Sequence, residues 1–138
     1  MNQKRRVPTS GLTINSEKIL DSSIIDELRE IGGDELIVTL FETFIDDADK
    51  CTADLDAAVG NQNMKQFDHL IHSLKGTSGS IGAHRMYLLS GYINEFSRNT
   101  AWPDNSSWME ILKNVYAETI KELKNYMHIL TQHSSRQT

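Results

Sequence analysis

The chain has 138 residues, 24% of them charged, and a formal net charge of −5 with no basic excess. That balance argues against a general nucleic-acid binder, which needs a Lys/Arg stripe to displace counterions. A single cysteine excludes an internal disulfide framework and fits a reducing compartment, and no apolar run approaches the ~20 residues a membrane helix needs.

The length suits one domain able to bury a core. The opening MNQKRR has no apolar stretch behind it, so no secretory signal is read there and the expectation is a cytoplasmic protein without a membrane partner. Residues 1–16 carry Pro8, Gly11 and several Ser, Thr and Asn with little periodicity, and are expected to form a flexible N-terminal segment. The end of the chain, QHSSRQT, reads the same way, with 133–138 as a flexible tail. The folded domain is therefore expected over 17–132.

A short first helix is predicted from Ser22 to Ile31, with Asp21 and Ser22 as cap candidates and Gly32-Gly33 as its stop. Asp34 offers a new cap for a second helix over about 35–59. Its stripe of Ile37, Leu40, Phe41, Phe44, Ala48, Cys51, Leu55 and Ala58 recurs at helical spacing and faces a core. Its other face, with Glu42, Asp46, Asp47, Asp49, Asp54 and Asp56, reads as solvated. Cys51 lies on the apolar stripe, as a small hydrophobe rather than a nucleophile.

Asn63 and Gln66 resemble a capping box opening a third helix that buries Phe67, Ile71, Leu74, Ser78 and Ile81. A fourth, over about 84–97, is predicted to bury the Arg85 stem, Leu89, Tyr92 and Phe96. RNTAWPDNSS is a loop, and Ser107 with Glu110 forms an S-x-x-E box that opens the last helix. That helix carries Trp108, Leu112, Val115, Thr119, Leu123, Tyr126 and Leu130 on one stripe. The pattern predicts an all-α protein: an antiparallel four-helix bundle with a short additional N-terminal helix.

The stretch HSLKGTSGSIGA, 72–83, holds three glycines, each costing a helix interior about 1 kcal/mol relative to alanine. At ~100° per residue, Ile71, Leu74, Ser78 and Ile81 fall within ~40° of Phe67, while His72 lies ~140° away, towards solvent. Lys65, Asp68, Lys75, Gly76 and Gly79 share that outer side, with His69 a little further round. Bare glycines beside an exposed imidazole suggest a surface that something bulky must approach. A neutral imidazole is a nucleophile, and Lys75 one turn on can hold charge near an anion attached to it. Gly82 is read as the end of the third helix rather than a binding element.

HLIHSLKGTSGSIGA resembles the signature of histidine-containing phosphotransfer (HPt) domains of bacterial two-component phosphorelays. The signature runs roughly H-x-[apolar]-K-G-[small]-[small]-x-x-[apolar]-G, matched by His72, Leu74, Lys75, Gly76, Thr77, Ser78, Ile81 and Gly82. The likeness extends over about 20–130, and AWPDNSSWMEILKNVYAETIKELKNYM is similar to the module of anoxic-redox-control hybrid sensor kinases. The resemblance implies a phosphorelay carrier. His72 accepts a phosphoryl group at Nε2 from a receiver-domain phospho-aspartate and passes it to another receiver, and Lys75 stabilises charge. Lys65, Asp68, His69, Gly76 and Gly79 meet the receiver. Some family members have a Gln, hydrogen-bonded to the imidazole, where this chain has Asn94, so Asn94 is the expected orienter of His72, directly or through a water. On its own wheel Asn94 lies ~140° from Leu89, an outward bias like that of His72.

The implied partners are response-regulator receiver domains and a hybrid sensor histidine kinase. Mg²⁺ is expected on the receiver, so the chain itself needs no cofactor and no metal. No G-x-x-x-x-G-K-[ST] loop or ATP-binding domain is present in the sequence, so no ATP-dependent autophosphorylation is expected. A monomer is the expectation for a carrier that must expose one face, and Met1 favours a free-standing shuttle over the end of a hybrid kinase. Two other readings compete. A helical adaptor without chemistry would explain the bundle but not an exposed His-x-x-Lys-Gly. His69, His72 and Asp68 could bind a metal, but bundle metal sites face inward through Glu-x-x-His pairs, and this chain has none.

Overall fold

The computed structural model describes residues 14–99 and 106–137, without the side chains of 98, 99, 106, 107 and 133–137. Four helices follow in order: α1 (Ser22–Gly60), α2 (Met64–Ile81), α3 (His84–Asn99) and α4 (Ser106–Gln137). They form an antiparallel bundle in which α2 packs between α1 and α3, and α4 closes the ring against α3 and α1.

The two helices expected at the N-terminal end are both present, as the two arms of α1 that meet at a kink at Gly33. Asp21 caps α1, its Oδ1 accepting from the Ser23 backbone N–H at 3.1 Å and from the Ser23 hydroxyl at 2.7 Å. Gly33 then interrupts the helical backbone at φ 73°, ψ −168°, a region essentially reserved for glycine. The arm before it, residues 22–32, turns to meet the α2–α3 corner. There the Asp21 N–H donates to the Gly82 carbonyl at 2.8 Å, and Ile25 is buried. The arm after Gly33 buries Ile37, Phe41, Phe44, Ala48, Leu55 and Ala58 as expected. Thr52 joins them by donating its hydroxyl to the Ala48 carbonyl at 2.7 Å, which satisfies it without a partner from another helix. Leu40 and Cys51 are half-buried at the edge of this stripe.

Asn63 caps α2 through its Oδ1, which accepts from the Gln66 N–H at 3.1 Å. The return bond differs from a capping box: the Asn63 side-chain amide, not its backbone N–H, meets Gln66 Oε1 at 3.2 Å. The backbone N–H is already committed to the Ala58 carbonyl at 2.9 Å. All five residues predicted for the α2 stripe are buried. Gly82 ends the helix in the left-handed region at φ 84°, and the Ala83 N–H reaches back to the Ser78 carbonyl at 2.9 Å, a Schellman closure. Its role is the terminating one expected.

The phase of α3 needs correction. Met86, Leu89 and Ile93 are its buried apolar residues, interleaved with buried Ser90, Asn94 and Ser97, while Tyr92 is exposed and Phe96 half-buried against Trp108 at 5.2 Å between ring centroids. The small polar residues let α3 sit close to its neighbours, while Tyr87 and Tyr92 are exposed.

Both domain boundaries also move. Ile14 is fully buried, and the carbonyls of Asn15 and Glu17 accept from the Arg85 guanidinium, so the folded unit begins before residue 17. At the other end α4 continues to Gln137 rather than stopping at 132. Residues 1–13 and most of the expected loop over 98–107 lie outside the described residues, as does the Ser107 side chain of the expected cap.

Candidate functional site

His72 lies on the solvent face of α2 and is exposed, as are Lys65, His69 and Gly76. Asp68, Lys75 and Gly79 sit half-buried at the seam with α3. The helical period thus divides the seven expected residues into an outer row and a row turned towards the neighbouring helix.

Contacts across the seam define its register. Gly79 faces Tyr87, Lys75 faces Gly91, and the Ser97 hydroxyl donates to Asp68 Oδ1 at 2.7 Å. On α2 the seam residues Asp68, Lys75 and Gly79 are spaced by seven and four residues, and their partners Ser97, Gly91 and Tyr87 on α3 by six and four, so the outer-row His72 falls at the height along the bundle of the α3 turn that holds Asn94. Asn94 is not the outward residue its wheel suggested: it is 6% exposed, and its Oδ1 is a buried acceptor with no hydrogen-bond partner.

The glycines separate by function. A Cβ added at Gly76 would meet nothing within 4 Å, so no internal packing requires glycine there. A Cβ at Gly79 would stand 2.8 Å from Cδ1 of Tyr87, which gives this glycine an internal reason: it makes room for the ring. Gly79 was expected on the docking surface because it is bare, and the ring of Tyr87 covers it. A shallow cleft continues from Gly76 past Gly79 and Gly82, walled by Asp21 and Ile24 of the N-terminal arm and by His84 and Tyr87.

Lys75 extends along α3. Its Cε would lie 3.5 Å from a Cβ at Gly91, and its Nζ is 5.7 Å from the centroid of the Tyr87 ring. Asp68, expected to meet a receiver, spends one oxygen on Ser97. Tyr87, Gly91 and Ser97 went unnoticed in the sequence. Gly91 carries the missed signal, since a glycine inside α3 weakens the helix as Gly76 does and invites the same question.

Cys51 lies on the far side of α2 from His72. Its thiol is pushed up to about 11 by burial, with the Asp54 carboxylate adding to the effect, and it donates to the Leu70 carbonyl at 3.6 Å. A thiol held protonated is a poor nucleophile. Among the described residues no group of three His, Cys, Asp or Glu side chains could hold a metal ion, and no helix is long and apolar enough to cross a membrane.

Comparison with known proteins points the same way. The Hpt domain model matches residues 39–130. The chain is 27% identical over 109 residues to the sensory/regulatory protein RpfC of Xanthomonas campestris, an alignment covering 75% of this chain and 15% of that protein. It is 32% identical over 74 residues to histidine-containing phosphotransfer protein 1 of Arabidopsis thaliana, covering 51% of this chain and 48% of the relative. The chain therefore spans a small part of the first relative and about half of the second. Among solved structures, histidine-containing phosphotransfer protein B from Pseudomonas aeruginosa superposes with a TM-score of 0.71 at 28% identity, covering 82% of this chain and 97% of that one. A putative histidine-containing phosphotransfer protein from rice reaches 0.75 at 18% identity, covering 90% and 93%, a likeness of fold. With the family model spanning most of the bundle and a histidine standing exposed on its second helix, the chain belongs to the Hpt domain family.

Proposed function

We propose that this chain is a phosphorelay carrier in which His72 takes the phosphoryl group. The observation that carries the reading is the pairing of an exposed His72 with Gly76, one turn away, whose bare surface nothing in the chain itself requires. A receiver's phospho-aspartate is the donor. The lone pair of the His72 Nε2 attacks phosphorus, a P–N bond forms as the acyl P–O bond breaks, and the aspartate leaves as a carboxylate. The reverse exchange on a second receiver empties the histidine. Such transfers rest on positioning and charge stabilisation. Mg²⁺ on the receiver supplies part of that charge, and Lys75 adds a cation one turn from the ring.

Asn94 is the orienter in this reading. Its buried Oδ1 has no hydrogen-bond partner within the chain, so a side-chain rotation that brings it to His72 Nδ1–H would satisfy both groups. Fixing that proton on Nδ1 leaves the lone pair on Nε2. The donors and acceptors are receiver domains of a hybrid sensor kinase pathway, reached by a monomeric carrier in the cytoplasm.

The test is incubation with phosphorylated receiver domains from the same cell. Acid-labile, base-stable phosphate on the wild type, absent from His72→Gln, supports the reading. Uptake that survives the loss of His72 would overturn it.

A further inference from the structure

We propose that Ser90 is a positioning residue for transfer, acting through Asn94. The inference rests on the carrier reading above, in which Asn94 orients His72, and adds the group that decides which way the Asn94 amide faces.

Ser90 is fully buried and Asn94 nearly so, and Ser90 Oγ and Asn94 Oδ1 are both buried without a hydrogen-bond partner. The two residues are a turn apart on α3, neighbours on one face of the helix with about 5–6 Å between their Cβ atoms. Helical side chains lean towards the N-terminus, so the Asn94 amide lies over the turn that holds Ser90. Unpaired polar atoms are rare in a core, and two side by side point to a bond between them.

The ends of a primary amide have nearly the same shape, so a half-turn about Cβ–Cγ exchanges oxygen and nitrogen in place. The exchange matters for His72. An oxygen turned to the ring accepts from Nδ1–H and leaves the lone pair on Nε2, the form that attacks phosphorus. A nitrogen turned to the ring donates to Nδ1 instead, and the ring proton then sits on Nε2 and blocks attack.

Ser90 settles the choice. Buried hydroxyls in this bundle donate to the carbonyl four residues back, as Thr52 and Thr119 do at 2.7 and 2.8 Å. With its own hydroxyl turned to the Met86 carbonyl in the same way, Ser90 Oγ is left as an acceptor. It takes the Asn94 Nδ2–H, and the oxygen end of the amide faces the histidine. His72 Nδ1–H then donates to Asn94, Asn94 to Ser90 and Ser90 to Met86. The reversed amide makes one bond fewer, because the serine proton is spent on Asn94 Oδ1.

The experiment reads the tautomer of the His72 ring by long-range proton–nitrogen NMR on the isotope-labelled full chain. It is run in alkaline buffer, where the imidazole is neutral, with His72→Gln assigning the signals. Ser90→Ala, Ser90→Thr, Asn94→Ala and the Ser90→Ala/Asn94→Ala double variant are compared, and urea unfolding checks their folds. The expected result is a ring protonated mainly on Nδ1 in the wild type and in Ser90→Thr, which keeps the hydroxyl. In Ser90→Ala the population moves towards Nε2–H and transfer from a phosphorylated receiver falls about two- to tenfold, the worth of a hydrogen bond. The double variant transfers no more slowly than Asn94→Ala. An unchanged tautomer in Ser90→Ala overturns the inference, even if the variant is less stable. So does a further loss of rate in the double variant, because Ser90 would then act on something other than Asn94. A wild type that takes up no phosphate is a different failure, that of the carrier reading. The role in transfer falls with it, while the tautomer comparison still decides whether Ser90 orients the ring.

Discussion

The Tyr87 ring approaches Gly79 so closely that a Cβ on the glycine would lie 2.8 Å from one of the ring carbons. Gly79→Ala must therefore displace the ring. Because Tyr87 is 37% exposed, the ring can swing outward, and the cost of overpacking is set against the gain of about 1 kcal/mol from replacing a helical glycine. The expected net change in unfolding free energy is under about 1 kcal/mol, with Tyr87 displaced, and urea unfolding with NOEs from the ring checks both.

Gly76 should behave in the opposite way. Its missing side chain faces open space, so Gly76→Ala should gain roughly 0.5–1 kcal/mol of stability. Gly76→Gln or Gly76→Leu should also fold, yet lose phosphoryl uptake as the larger side chain fills the approach to His72. A bulky residue that leaves transfer intact would remove the docking role from this position.

At the histidine itself, His72→Gln should leave stability within about 0.5 kcal/mol, as for an exposed site, and abolish uptake. His69 and His84 should not take its place. Asn94→Ala should slow transfer several-fold without unfolding the bundle, measured by rapid-quench transfer kinetics alongside a melting curve. A wild-type rate from that variant would dispose of the orienting role.

Cys51 gives a prediction in pH. Its folded-state value, about 11, lies above the ordinary thiol value of 9.0 because burial disfavours the thiolate. The unfolded chain therefore releases this proton first as pH rises, and the cysteine's contribution to stability is intact below about pH 9 and declines between about 9 and 11. Tyr116, raised by burial and by its hydrogen bond to Asp49, adds a decline of the same sign that starts near 10. Cys51→Ala should flatten the lower part of the alkaline fall, seen in urea unfolding across that range. Native Cys51 should also react slowly with a thiol reagent at pH 8.

The sequence made α2 legible because its buried positions are large, apolar and regularly spaced, so the exposed phase of His72 followed directly. It misled in α3, where Ser90, Asn94 and Ser97 are buried and Tyr92 is not. A helix packed tightly on two neighbours favours small side chains over apolar ones, and a hydropathy pattern does not carry that preference. Gly76 and Gly79 look equivalent in the sequence, three residues apart on one face. They differ only because a ring from another helix arrives at the second. The boundary near residue 17 was misplaced because the segment is tied down by a single apolar residue, Ile14, too few for a periodic pattern, and by the backbone carbonyls of Asn15 and Glu17, which leave no mark on residue identity.

That segment bears on where the domain can be cut. Arg85 Nε donates to the Glu17 carbonyl at 2.8 Å, a terminal nitrogen of the same guanidinium reaches the Asn15 carbonyl at 3.3 Å, and Glu118 takes the remaining contact at 2.9 Å. The family model begins at residue 39, inside α1 and past Gly33. A truncation at that point would leave a mostly buried guanidinium holding one carboxylate where it had held a carboxylate and two carbonyls. Each lost bond to a charged group is worth about 1.5–3 kcal/mol. It would also strip Ile14 and Ile25 from the core, about 1.5–3 kcal/mol each, and take away the donor that the Gly82 carbonyl accepts from at the end of the histidine helix. The smallest autonomous folding unit therefore starts no later than Ile14, and a sensor or affinity tag grafted onto this module belongs ahead of that isoleucine.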